Sequence, residues 1–136
     1  MTRVLPFIAL ILCCTSCKKA IQEQQQSIVM KAITDGKWKV EYYMEGASDI
    51  SNQFVDFQFK FYEDGTVIGT DGSVTNVGTW SGNVSNYSIT SFFQSASAPV
   101  FKLNGIWKLT DSYWDYVEAE MSTDSGKSLL HLRKIP

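Results

Sequence analysis

The sequence predicts an all-β protein, an antiparallel up-and-down barrel of about eight strands preceded by a short helix. Apolar and polar side chains alternate along several segments, as they do in strands that bury one face. Turn signals rich in glycine, asparagine and aspartate separate these segments at short intervals. The connections are too short for crossover helices, so consecutive strands are expected to pair with each other.

The chain begins with a short basic start and an apolar run over residues 4–14. A membrane-spanning helix needs about 20 apolar residues, so this run is too short to span a bilayer and matches the apolar core of an export signal. Two small residues, Thr15 and Ser16, then precede Cys17, and charged residues follow at once.

The segment Cys14-Thr15-Ser16-Cys17 resembles the lipobox of bacterial lipoproteins, with Cys14 at a position that is usually aliphatic. The resemblance implies that residues 1–16 are a signal peptide and that Cys17 becomes the lipidated first residue of the mature chain. It also implies attachment to the outer membrane of a Gram-negative bacterium, because Lys18-Lys19 differs from the aspartate that retains enterobacterial lipoproteins in the inner membrane. The leaflet stays open, as do ordinary secretion and an uncleaved anchor.

Cysteine usage and charge exclude several classes of protein. All three cysteines lie at positions 13, 14 and 17, so the domain that follows holds no disulfide. Thiolate ligands in an apolar signal lack a folded support, so no metal site is expected there. The chain has a net charge of −2 and no basic stretch, which argues against nucleic acid as a partner.

The mature chain is expected to consist of a polar tether, 17–27, and one domain, 28–136. The tether is rich in glutamine and too polar to fold alone. After it, apolar residues recur at helical spacing between Ile28 and Ile33, and Asp35-Gly36 is a usual helix stop. We therefore expect a short helix at one end of the barrel.

The alternation is clearest in two segments. Its apolar or aromatic members are Trp38, Val40, Tyr42 and Met44 in the first, and Val55, Phe57, Phe59 and Phe61 in the second. A hairpin signal follows at 63–66. Further strands are expected at 67–70, 77–81, 87–93, 101–110, 113–121 and 129–135.

A Gly-x-Trp motif occurs three times, at residues 36–38, 78–80 and 105–107. Glycine on the same face of a strand leaves room for the indole two residues later to lie over the backbone. The spacings are unequal, so the motif is a recurring packing device and not a structural repeat.

The order of these motifs resembles the small lipocalin-like domains of bacterial lipoproteins. The matching segments are the Gly-x-Trp strands, the aromatic strand that ends in Phe59-Lys60-Phe61-Tyr62-Glu63-Asp64-Gly65-Thr66, and the closing Leu130-His131-Leu132-Arg133-Lys134. The resemblance implies an eight-stranded barrel with room for an internal pocket. It supplies no catalytic residues and no cofactor.

Enzymatic chemistry is not expected from the residues either. The single histidine, His131, lies between two leucines, so it points outward if they point inward. A lone histidine lacks the convergent partners that catalysis needs. Glu118 and Glu120 share one strand face while Asp115 lies on the other, which predicts solvated surface charges and no metal site.

Two functions of different classes follow as hypotheses. In the first, the barrel binds a small apolar or aromatic molecule between inward side chains, with Trp38, Tyr42, Phe57, Phe59, Phe61 and Trp107 as candidate lining. In the second, the barrel is filled and docks on a protein or glycan through its outer surface, with Trp114 and Tyr116 as a candidate patch. A cavity of about 300 Å³ or more would favour the first hypothesis.

Overall fold

The computed structural model describes residues 31–136. The described chain begins in a helical turn, 31–34, and continues as strands joined by short turns and two 3-10 helices. The strands are β1 (Trp38–Glu45), β2 (Ser48–Asp49), β3 (Gln58–Phe61), β4 (Thr66–Thr70), β5 (Thr75–Asn83), β6 (Ser88–Phe92), β7 (Gly105–Ser112), β8 (Tyr116–Thr123) and β9 (Gly126–Lys134). The 3-10 helices are η1 (Ser51–Phe54) and η2 (Val100–Leu103). The predicted signal peptide and tether, including Cys17, lie outside the described residues.

The strands form a closed antiparallel barrel, which confirms the predicted fold class. From β3 to β9 each strand pairs with the next, and β9 pairs with β1. The two-residue strand β2 is an extension paired only with β1. Seven residue pairs join β1 to β9, whereas the single pair Trp38–Phe59 joins β1 to β3. The barrel is therefore closed mainly by its first and last strands.

Alternating strand directions sort the turns into two ends of the barrel. The entry end, where β1 begins, carries the helical turn 31–34 and the turns at 62–65, 84–87 and 113–115. The opposite end carries η1, η2 and the turns at 71–74 and 124–125. Lys31, the first described residue, consequently lies at the entry end.

The opposite end is closed by the two 3-10 helices. Phe54 of η1 and Val100 of η2 are both fully buried. Tyr43 connects the two helices, because its ring stacks on Phe54 at 5.3 Å and its hydroxyl donates to the carbonyl of Lys102 at 2.7 Å. Burial raises the pKa of Tyr43, so this hydroxyl stays protonated and continues to donate at neutral pH.

The entry end is closed by the helical turn. Ile33 is buried, and its carbonyl accepts a hydrogen bond from the Trp38 indole at 2.9 Å. Two lysines hold the end of the turn: the ammonium of Lys60 donates to the carbonyl of Thr34 at 2.8 Å, and that of Lys134 donates to the carbonyl of Ala32 at 3.2 Å. Cations at these positions satisfy carbonyls that a helix end leaves without partners.

Two aromatic residues depart from the prediction, Tyr42 in the face of the strand it occupies and Phe57 in lying before a strand. The pairing of β1 with β9 shifts register between Val40 and Tyr42, and this bulge turns Tyr43 inward with an exposed fraction of 1%. Tyr42 consequently lies outside, with its ring 5.1 Å from that of His131. Phe57 precedes β3 and packs beside Phe54, so the predicted long strand from Val55 begins only at Gln58.

Two other boundaries and the proposed role of the glycines need correction. Residues 100–103 form η2 and not strand, and the turn predicted at 111–112 lies at 113–115. A methyl group at Gly78 would lie 2.6 Å from the Phe92 carbonyl oxygen and 2.7 Å from the Phe93 ring. At Gly105 it would meet the sulfur of Met121. Side chains and backbone of neighbouring strands, and not the following indole, occupy the space.

Candidate binding surfaces of the barrel

The interior contains a cavity of about 50 Å³. Four of the six predicted lining residues contact it: Trp38, Phe59, Phe61 and Trp107. Tyr42 does not, because the bulge in β1 turns it outward, and Phe57 does not, because it precedes β3 and packs beside Phe54. Sequence reasoning did not select the other lining residues, which are Ile33, Val67, Ile89, Ser91, Phe93, Leu103, Leu109, Val117, Ala119, Leu130 and Leu132.

Polar groups near the cavity are already paired with the protein. The indole of Trp107 and the hydroxyl of Ser91 both donate to the carbonyl of Leu103, at 2.9 and 2.5 Å. Among residues 31–136, every buried side-chain nitrogen or oxygen has a hydrogen-bond partner. The cavity therefore offers shape and apolar contact but no unpaired polar group that would orient a ligand.

The size of the cavity distinguishes between the two hypotheses. Pockets for drug-sized ligands measure about 300–1,000 Å³, and an engineered apolar cavity that holds benzene measures about 150 Å³. The cavity of this barrel is about 50 Å³. Its interior is thus filled almost completely by its own side chains, as is expected of the narrowest closed barrels.

Trp114 and Tyr116 lie close together at the turn between β7 and β8. Trp114 is 61% exposed, and the ammonium of Lys134 lies 5.5 Å from its ring centroid. Tyr116 is half-buried between the ring of Tyr113, 6.2 Å away, and the guanidinium of Arg133 at 5.3 Å. Tyr113, which was not selected from the sequence, is 64% exposed and belongs to the same cluster.

A hydrogen bond fixes the orientation of Tyr116 within this cluster. Its hydroxyl donates to the Asp111 carboxylate at 2.9 Å. The same bond raises the pKa of Tyr116, because the neutral phenol is the form that can donate to a carboxylate. Tyr116 therefore supports the more exposed ring of Tyr113, which stacks on it.

A second exposed surface, which we name the uncharged wall, lies on the outer face of β4, β5 and β6 and extends to Ile106 at the start of β7. Strands β4, β5 and β6 contain no charged residue. On this face Val77, Phe92 and Ile106 are 61%, 53% and 62% exposed. The signal was visible in the sequence, because Asp71 is the only charged residue between positions 65 and 101. Only the topology places this stretch on one side of the barrel.

The other side of the barrel, formed by β8, β9 and β1, is charged. Arg133 is 3.1 Å from the carboxylate of Glu41, and Lys127 is 3.3 Å from that of Glu120. His131 lies outward, 3.9 Å from Glu118, so its predicted direction agrees with the structure. Within the described residues no group of three or more His, Cys, Asp or Glu side chains is arranged to hold a metal ion.

The helices within residues 31–136 are short. None of the helices there combines the length and apolar character that a bilayer crossing demands.

The fold and its filled interior define a small, closed, eight-stranded antiparallel barrel. A solved structure of a DUF4847 family protein from Bacteroides vulgatus ATCC 8482 is similar to it, with a TM-score of 0.58 and 15% sequence identity. The alignment covers 77% of this chain and 96% of that protein. No family model and no curated protein matches the chain. At this identity the likeness shows the fold alone.

Proposed function

We propose that the protein is a lipid-anchored, non-catalytic barrel that docks on a partner protein through its outer surface. The observation that carries the proposal is the interior volume of about 50 Å³, which is about one sixth of the smallest usual ligand pocket. Such a barrel offers a rigid outer surface for recognition and very little room inside.

The proposed anchor is the lipid on Cys17, for which the lipobox sequence is the support. Two or more acyl chains give stable attachment to a bilayer. Substitution of Cys17 by alanine should release the protein into the soluble fraction with its barrel intact. Membrane fractionation at high salt, with circular dichroism of the released protein, provides the measurement. Continued sedimentation of the folded variant with membranes would contradict the lipid anchor.

The uncharged wall is the proposed docking surface. Its exposed side chains are aliphatic, aromatic or uncharged polar, and large exposed apolar areas on soluble domains usually mark interaction sites. Val77 pairs directly with Ile68 across β4 and β5, while Phe92 and Ile106 extend the same face over β6 and β7. An apolar sheet face without charge selects a partner by shape and contact area. It disfavours partners whose charged groups would be buried against it without a counter-charge.

Photocrosslinking in the producing cell tests this assignment. A photoreactive amino acid at Phe92, in the centre of the wall, should give a discrete protein adduct. The same amino acid at Lys39, which is exposed on the charged side, is the matched control and should give none. Failure of position 92 to crosslink, or equal adducts at both positions, would show that the wall is not the docking surface.

Ligand binding inside the barrel is the second candidate. The lining of the cavity favours this candidate, because Ser91 is its only polar residue among aliphatic and aromatic side chains. A second observation is that Ile33, which closes one end of the cavity, belongs to a helical turn and not to a strand. Native mass spectrometry of the mature protein, extracted gently from its own membrane, distinguishes the candidates. A bare protein mass supports docking, whereas a small molecule retained at one copy per barrel overturns the filled-barrel proposal.

A further inference from the structure

Exposed tyrosine and tryptophan side chains are confined to one end of this barrel. All six tyrosines and four tryptophans of the chain lie within the described residues. The exposed ones are Tyr62, Tyr87, Tyr113 and Trp114, with exposed fractions between 41% and 64%. Each lies in a turn at the entry end. Exposed large apolar residues elsewhere are valine, isoleucine or phenylalanine, which have no polar group at the tip.

The entry end is also the end from which the chain leads back to Cys17. Thirteen residues separate Cys17 from Lys31, the first described residue. Fully extended, this connection reaches at most about 50 Å, and it is much shorter in any helical form. A lipid on Cys17 would therefore tether the barrel by its entry end and allow that end to reach the bilayer surface.

We propose that the entry end rests on the phospholipid interface, with the rings of Tyr62, Tyr87, Tyr113 and Trp114 inserted among the headgroups. Tyrosine and tryptophan favour this region because their rings are apolar and their tips form hydrogen bonds. The proposal rests on the lipid anchor proposed above and goes beyond it, since an anchor on a tether alone would leave the barrel free to rotate.

The distribution of the rings favours a planar partner. Tyr62, Tyr87 and the pair Tyr113–Trp114 belong to three different hairpins around the barrel mouth, and the ring of hairpins surrounds the buried turn with Ile33. A bilayer contacts all three hairpins at once. A glycan bound by stacking would need adjacent exposed rings that form one platform or cleft. Tyr113 instead stacks on the half-buried Tyr116, and the other exposed rings of Tyr62 and Tyr87 belong to separate hairpins.

Charges at this end indicate which lipids are required. The ammonium of Lys60 lies 5.8 Å from the Tyr62 ring, and that of Lys134 lies 5.5 Å from the Trp114 ring. Both groups also donate to carbonyls of the helical turn, so they are already engaged within the protein. The turns at the same end also contain Glu63, Asp64 and Asp115. Because the charges nearly balance, the contact should form on zwitterionic phosphatidylcholine and persist at high salt.

Fluorescence quenching can test the contact, because Trp114 is the only exposed tryptophan. The lipidated full-length protein is reconstituted in phosphatidylcholine vesicles, with and without lipids brominated near the glycerol backbone. Bromine should quench the Trp114 emission, and vesicles should protect it from acrylamide. Trp114→Phe should lose both effects. The matched control is Phe92→Trp in the Trp114→Phe background, which places an exposed indole on the uncharged wall. Acrylamide should quench the emission of this new indole, and brominated lipid should not.

Vesicle flotation in the same samples separates the two proposals. Protein that does not float disproves the lipid anchor. Protein that floats with Trp114 fully accessible to acrylamide and insensitive to bromine retains the anchor and refutes the interfacial contact. Protection from acrylamide that requires a lipid-linked glycan, without bromine quenching, would assign the rings to a glycan and would also refute it.

Discussion

Substitution of Leu109 by alanine tests whether side chains fill the interior of the barrel. Leu109 lies on β7, is 7% exposed and lines the cavity. Each buried carbon contributes roughly 0.8 kcal/mol, so removing three carbons costs about 2.4 kcal/mol. The space left behind raises the total to about 3–5 kcal/mol, as in measured leucine-to-alanine series. A domain of this size is typically stable by about 5–15 kcal/mol, so the variant should still fold.

Ile106 provides the control on the same strand. It also loses three carbons when replaced by alanine, but it faces outward and is 62% exposed. Its substitution should cost at most about 1 kcal/mol, the range of strand propensity. Urea unfolding followed by the fluorescence of the buried tryptophans measures both variants. Equal losses at the two positions would show that Leu109 does not pack in a tight interior.

A small apolar probe completes this test. The enlarged cavity of Leu109→Ala should admit benzene, because a cavity of about 150 Å³ binds it. Bound ligand stabilises the folded state by mass action, so benzene should raise the urea midpoint of the variant. The native barrel, with about 50 Å³, should show no rise. If the native protein is stabilised as strongly as the variant, the filled-barrel argument is wrong and ligand binding becomes the better candidate.

Three further predictions concern the ends and walls of the barrel. Lys134→Met should lower the free energy of unfolding by about 1–3 kcal/mol in urea, because the ammonium donates to the Ala32 carbonyl and lies near two indoles. The control Lys127→Met, at an exposed position, should change the free energy of unfolding by less than about 0.5 kcal/mol. Gly78→Ala should cost about 1–3 kcal/mol by overpacking against the carbonyl of Phe92, and a loss no larger than that of outward Thr79→Ala would disprove that contact. Local hydrogen bonds to the carboxylates lower the pKa values of three aspartates, Asp49, Asp64 and Asp71. These carboxylates therefore stabilise the folded state fully above the unfolded pKa near 3.8, and the stabilisation is lost as pH falls through the lower folded pKa values. Replacing all three with asparagine should flatten the loss of stability in urea titrations below about pH 4, and an unchanged pH dependence would contradict this assignment.

Local patterns in the sequence were sufficient to predict the class of fold. Alternation and turn signals depend on neighbouring residues only, so hairpins such as β3–β4 and β8–β9 follow directly from them. The bulge after Val40 does not, because it depends on how β1 pairs with β9 near the other end of the chain. Tyr42 and Tyr43 are both aromatic, so the sequence offers no signal for which of them turns inward.

The candidate surfaces show the same limit. The long stretch almost without charge can be read from the sequence, but its position on one wall requires the strand order. Tyr62, Tyr87 and Trp114 are far apart in the chain, and closure of the barrel brings their turns to one end. Lining residues such as Trp38 and Trp107 were predictable because a large apolar side chain on a regular strand has few alternatives to the interior.

The pairing of β1 with β9 has a consequence for how the protein is made. A barrel closed by its first and last strands cannot be completed until the final residues of the domain are available, and bringing the two strands together requires closing a loop of nearly the whole domain. A chain that stops before Gly126 leaves β1 with a single residue pair to β3 and an open edge that invites aggregation. The barrel therefore cannot close before residues 126–134 have been synthesised.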